Sequence, residues 1–111
     1  QCHKDKTEKQ LNRVIDGMKG YYDGKLREAE SRMTDMFNAF DLALAMGVSD
    51  EVLNQARELH SVAHTNWEWT AVNGAWFHNP EAAQLSLAKC ADAAQKATKI
   101  LRDAMVAKNK K

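Results

Sequence analysis

Proline occurs once in this chain, at Pro80, and glycine only five times in 111 residues. So few helix breakers favour an all-helical fold. No segment alternates apolar and polar residues with the Val, Ile and Thr enrichment of a strand. Long hydrophobic runs are missing too: none approaches the ~18 residues needed to cross a bilayer, and none resembles the apolar core of a secretion signal, so an exported protein would carry its signal upstream of Gln1. Charge of neither sign prevails. Sixteen Lys plus Arg face 15 Asp plus Glu, a formal charge of +1, so no global field draws the chain to nucleic acid or anionic lipid. Only the tail KNKK is locally basic, and it reads as a solvated helix end where cations complement the helix dipole. An initiator methionine is missing as well. The opening QCHKDKTEKQ reads as the start of a segment lying within a longer protein.

What is present is helical periodicity, in a length suited to one domain. From about Lys4 to Met46, apolar residues recur at Leu11, Ile15, Met18, Tyr22, Leu26, Ala29, Met33, Met36, Phe40 and Leu44, in steps of three or four. That spacing predicts one amphipathic helix over 4–46, about 60 Å long at 1.5 Å per residue. A bundle of this size cannot cover such a length, so part of the stripe should meet another protein surface. Gly17, Gly20 and Gly24 predict a kink or a close helix contact near Tyr21 and Tyr22. Gly47 suits a helix stop and Ser49 an N-cap, with Asp50 and Glu51 in the first turn of a second helix over 49–73. Its expected buried stripe is Val52, Ala56, Leu59 or His60, Ala63 and Trp67. Asn79, Pro80 and Glu81 start a third helix over 79–107, with Ala83, Leu87, Cys90 or Ala91, Ala94, Ala97, Leu101 and Met105 inward. The expected fold class is therefore all-α: one very long N-terminal helix followed by two more, packed as a bundle.

Few residues offer chemistry. Cys2 and Cys90 read either as a disulfide pair or as thiols, and Cys90 on the apolar side of a helix suits a small core residue. Cys2 stands directly before His3. Cys-His ends the C-x-x-C-H sequence that attaches c-type haem, in which cysteines form thioethers and the histidine ligates iron, so residues 1–3 have the form of a motif remnant. His60, His64 and Glu68 follow at i, i+4 and i+8 along one side of the second helix. Two histidines so spaced can share a metal and a carboxylate one turn on can complete the site; alternatively His60 packs beside Ala56, Ala63 and Trp67 while His64 faces water. His78, in an aromatic corner with Trp76, Phe77 and Pro80, suits either a structural role or an apolar cofactor pocket.

With these residues in order, the chain resembles the C-terminal part of the multihaem cytochrome c nitrite reductases, the ammonia-forming periplasmic enzymes. The resemblance rests on QCH, the long helix, ARELHSVA, Trp67 followed by Glu68, Asn73, and FHNP opening the last helix. It implies haem c in the complete protein, with Cys2 as a thioether attachment, His3 as a proximal ligand, His78 as the sixth ligand of a haem attached elsewhere, and His60 in support near the haem array. It also implies a catalytic haem in an N-terminal part, a homodimer contact along the long helix, an electron-donor cytochrome or quinol dehydrogenase as partner, and an exported, periplasmic location. Val72 and Gly74 beside Asn73, and His64 where the family has glutamine, depart from the pattern. They leave room for the octahaem nitrite reductases and hydroxylamine-oxidising cytochromes. A multihaem electron-transfer cytochrome and a haem-free helical interaction domain are the other readings of the same residues.

Overall fold

The computed structural model describes the backbone of residues 2–73 and 79–110, and the side chains of residues 10–13, 17, 20, 21, 23–70, 79 and 81–110. Three helices make up the described chain: α1 (Cys2–Met46), α2 (Asp50–Asn73) and α3 (Pro80–Asn109). The protein is all-α and is built as an elongated helical bundle. Its radius of gyration is 19.0 Å and its longest dimension 74 Å, against roughly 13 Å for the radius of gyration of a compact domain of this length. The 45 residues of α1 account for this, since they span about 68 Å at 1.5 Å per residue.

The core forms where α3 lies against both other helices, which meet each other far less. Every inward position expected on α3 is buried: Ala83, Leu87, Cys90, Ala94, Ala97, Leu101 and Met105, with Ala93 beside them. Most of these residues are alanine or cysteine, whose small side chains let the α3 backbone approach its neighbours closely. Ala29, Met33, Met36, Ala39 and Ala43 of α1 fill one flank, and Leu53, Ala56 and Ala63 of α2 the other. Thr98 is also buried and donates its hydroxyl to the Ala94 carbonyl at 2.8 Å, so its polar atom is satisfied within the helix.

The expected α1 stripe needs correction at its end. Leu44 is 53% exposed and Ala43 is fully buried instead, because the inward ridge runs 29, 33, 36, 39/40, 43 and drifts one position from the extrapolated pattern. Leu11, at 56% exposure, lies beyond the bundle and is uncovered by this chain. Ile15, Met18 and Tyr22 fall outside the described side chains. Gly17, Gly20 and Gly24 produce no interruption of α1, and a methyl group added at any of them would meet nothing within 4 Å. At the glycines themselves no close approach is made among the described residues, but α1 meets α3 nearby through Tyr21. There the Gln84 side-chain amide of α3 donates to the Tyr21 hydroxyl of α1 at 3.1 Å.

Local signals set the helix ends. Gly47 takes φ +73°, a left-handed conformation that costs a residue with a Cβ roughly 1–2 kcal/mol. Gly47 N–H donates to the Leu44 carbonyl (3.1 Å) and Val48 N–H to the Ala43 carbonyl (3.0 Å). This is the 5→2 and 6→1 pair of a Schellman stop, and Val48 is buried on the core. The Lys108 ammonium of α3 donates to the Gly47 carbonyl at 2.8 Å and locks the corner to the last turn of the bundle. Ser49 Oγ accepts from Val52 N–H at 3.4 Å. Asn79 Oδ1 accepts from Ala82 N–H at 3.2 Å, with Pro80 in the first turn, the start expected from the sequence.

Two substitutions test this account by denaturant unfolding. Leu101→Ala, which empties a fully buried site, should destabilise by about 2–5 kcal/mol. Gly47→Ala should cost about 1–2 kcal/mol from backbone strain. A Gly47→Ala variant as stable as the parent would show that the corner does not require the left-handed conformation.

Candidate functional site

Cys2 and His3 lie within the first turn of α1, whereas the sequence pattern predicts a helix start at Lys4. Their side chains, and His78 altogether, lie outside the described residues. His78 immediately precedes Asn79, whose side chain caps α3, so the chain position it occupies adjoins a fixed helix start.

His60 is half-buried, and its ring also has neighbours on α1 that the sequence pattern does not name. Its ring stands edge-on to Phe37 of α1, with centroids 5.3 Å apart and planes at 80°, and to Phe40 at 6.4 Å. These edge-to-face contacts hold the imidazole between α1 and α2. His64, one turn on, lies 6.1 Å from the His60 ring and 6.1 Å from the Trp67 ring. Its Nε2 faces Glu68 Oε2 at 3.3 Å, and both side chains are more than half exposed. Among the described residues, no group of three or more His, Cys, Asp and Glu is gathered closely enough to enclose a metal ion as it stands.

Where α1 and α2 diverge, Glu30, Met33, Thr34, Phe37, His64 and Trp67 line a shallow groove. Trp67 Nε1 is buried and has no hydrogen-bond partner among the described residues, an arrangement that costs about 1–3 kcal/mol. This orphan donor and the Phe37 contact to His60 were not legible in the sequence, because both depend on how α1 sits across α2. On the other side, between α1 and α3, Arg32, Asp35, Asp92, Lys96, Lys99 and Asp103 border a second groove. Lys96–Asp92 and Lys99–Asp103 pair at 3.0 Å along α3, so the two lysines there are answered.

Cys90 is fully buried in the core and unbonded to another cysteine. Burial pushes its thiol up from the usual 9.0 to about 11, with the Glu30 carboxylate adding to the shift. The protonated form is inert toward electrophiles, so Cys90 is a packing residue.

The profile of one protein family, described as cytochrome c552, matches residues 1–111, the whole chain. The chain belongs to the cytochrome c552 family, the nitrite reductase family. A comparison with characterised proteins gives no significant match. As a cytochrome c552 family member, the chain is part of a c-type cytochrome related to nitrite reductases, and the complete protein carries haem c. The donor set fits that cofactor: the adjacent cysteine and histidine at the head of α1 are the residue types that thioether attachment and axial ligation need. Among the described residues, no helix of this cytochrome c552 chain is long and apolar enough to cross a membrane.

The raised Cys90 pKa has a definite sign in stability. Because the folded value lies above the unfolded one, the stabilising contribution is fully present below pH 9.0 and is lost as pH rises towards about 11. Unfolding titrations of the wild type across that window should therefore show a fall in stability that Cys90→Ala lacks. Parallel curves for the two proteins would contradict the assignment.

Proposed function

We propose that this chain is the C-terminal helical segment of a haem c nitrite reductase that takes six electrons and eight protons to convert nitrite into ammonium and two waters. The observation that carries the reading is the whole-chain family match, with its Cys-His pair placed at the head of α1. Haem c supplies the redox-active iron and the path for electrons. Cys2 would hold one porphyrin by a thioether with His3 as its proximal ligand, and His78, next to Asn79 in the sequence, would be the sixth ligand of a second haem. His60, fixed by Phe37 and Phe40, supports the array through packing. The open catalytic iron belongs to the N-terminal part, so this segment does not turn over nitrite alone.

The remaining surfaces suit assembly. The first half of α1 extends past the bundle with Leu11 exposed, and in this reading it forms the homodimer contact. The complete protein works in the periplasm, or otherwise exported, and receives electrons from a donor cytochrome or quinol dehydrogenase. The departures at Val72, Gly74 and His64 are compatible with an octahaem or hydroxylamine-oxidising relative using the same segment.

The test is made on the complete protein. The peptide containing Cys2 and His3 should carry covalent haem by mass spectrometry. His78→Ala should convert one low-spin, six-coordinate haem to a high-spin signal by electron paramagnetic resonance, with nitrite reduction lowered about tenfold or more, the scale on which loss of a metal's supporting groups acts. A Cys2 peptide without haem, or an unchanged spectrum in the His78 variant, would overturn the residue assignments. Haem with no nitrite turnover would point to the electron-transfer cytochrome.

A further inference from the structure

The shallow groove between α1 and α2 has no part in haem attachment, and its lining is chemically one-sided. Met33, Phe37 and Trp67 give it apolar and aromatic walls, Glu30, Thr34 and His64 supply its polar atoms, and no lysine or arginine lines it. We propose that this groove is a docking site for a partner protein that presents an arginine. The methylene stem of that arginine lies along Met33 and Phe37, and its guanidinium lies against the aromatic rings within reach of the Glu30 carboxylate.

Size favours a side chain over a free small molecule. The groove offers about 320 Å³, at the bottom of the ~300–1,000 Å³ range of pockets that bury drug-sized ligands. Phe37 stands at its rim, 44% exposed. The Phe37 ring is held by His60, with centroids 5.3 Å apart, and the Trp67 ring lies 6.1 Å from that of His64. The aromatic surface is therefore already ordered, which lowers the entropy lost when a partner covers it.

Charge decides the class of partner. His64 and Glu68 answer each other at 3.3 Å, whereas Glu30 has no ion pair among the described residues. The charge left over in the groove is negative, beside rings whose faces attract cations. Arginine suits both features: its planar, weakly hydrated guanidinium stacks on aromatic rings and bonds a carboxylate through a fork of donors, while its stem covers apolar surface. An acidic partner would meet Glu30 as a like charge. The groove on the other flank of α1 has the opposite balance, with four cations, Arg32 and Arg102 among them, against three carboxylates. Electrostatics thus direct an arginine to the α2 side of α1.

The experiment is isothermal titration calorimetry on the complete, haem-loaded protein with a capped peptide alternating two leucines and two arginines. A peptide with glutamates in place of the arginines is the charge-reversed control. Wild type is compared with Glu30→Gln, Phe37→Ala and Glu58→Gln, Glu58 being an exposed carboxylate of α2 outside the groove. The expected result is saturable binding of the arginine peptide alone, weakened about three- to tenfold by Glu30→Gln or Phe37→Ala, unchanged in Glu58→Gln, and falling as salt rises. Glu30 is exposed, so its replacement leaves the packing intact even if the Phe37 variant folds poorly. Absence of binding by the wild type, which is also the outcome if another part of the complete protein covers the groove, would overturn the proposal. So would equal binding by wild type and Glu30→Gln, or an equal loss in Glu58→Gln. None of these results bears on the haem assignments, which the Cys2 peptide mass tests separately.

Discussion

The structure depends on the burial of one face of α3. Ala83, Leu87, Cys90, Ala94, Ala97, Leu101 and Met105 form a spine of mostly small side chains, and both other helices pack on it while scarcely packing on each other. Small residues bring the backbones close, so dispersion contacts are dense although no large aromatic among the described residues occupies the centre. This arrangement also opens the opposite side. Because α1 and α2 diverge away from α3, Phe37, His64 and Trp67 face a groove that the bundle itself does not fill, with His60 packed beside it on Phe37.

Each end of the spine is pinned by a specific contact. At one end Lys108 holds the Gly47 carbonyl, so the α1 stop, the α2 start and the α3 terminus share one corner. At the other, Asn79 caps α3 and Gln84 bonds Tyr21. Past Tyr21, α1 leaves the bundle and carries Cys2 and His3 outward. A haem attached there would sit at the end of a long rigid element rather than inside the three-helix core, consistent with a segment that braces a larger cytochrome. The buried Cys90 thiol, raised to about 11, is correspondingly separate from that chemistry.

Much of the fold was legible residue by residue. The Gly47 stop, the Ser49 and Asn79 caps and the whole inward face of α3 follow from short-range rules, since capping and helical periodicity involve residues within a turn or two. Leu44 shows where those rules fail: a pattern extrapolated over some forty residues drifts around the helix, and only the position of α3 decided that Ala43 faces inward. That Gly17, Gly20 and Gly24 leave α1 uninterrupted has a related reason. Glycine lowers helix propensity, but a helix continued on both sides tolerates it when nothing presses against the gap. Of the candidate haem residues, Cys2, His3 and His78 were readable only through their motif and family, and His60 could be placed on a helix face but not given its neighbours.

By itself, then, the sequence determined the all-α class, the three helices, their caps, the α3 core face and the family, all of which reside in local spacing and residue order. Tertiary structure decided that α3 is shared by both partners, that Phe37 and Phe40 hold His60, that the Trp67 N–H has no partner among the described residues, and that Glu68 meets His64 at 3.3 Å. The first three depend on the placement of helices far apart in the chain, and the last on a rotamer choice, neither of which periodicity encodes.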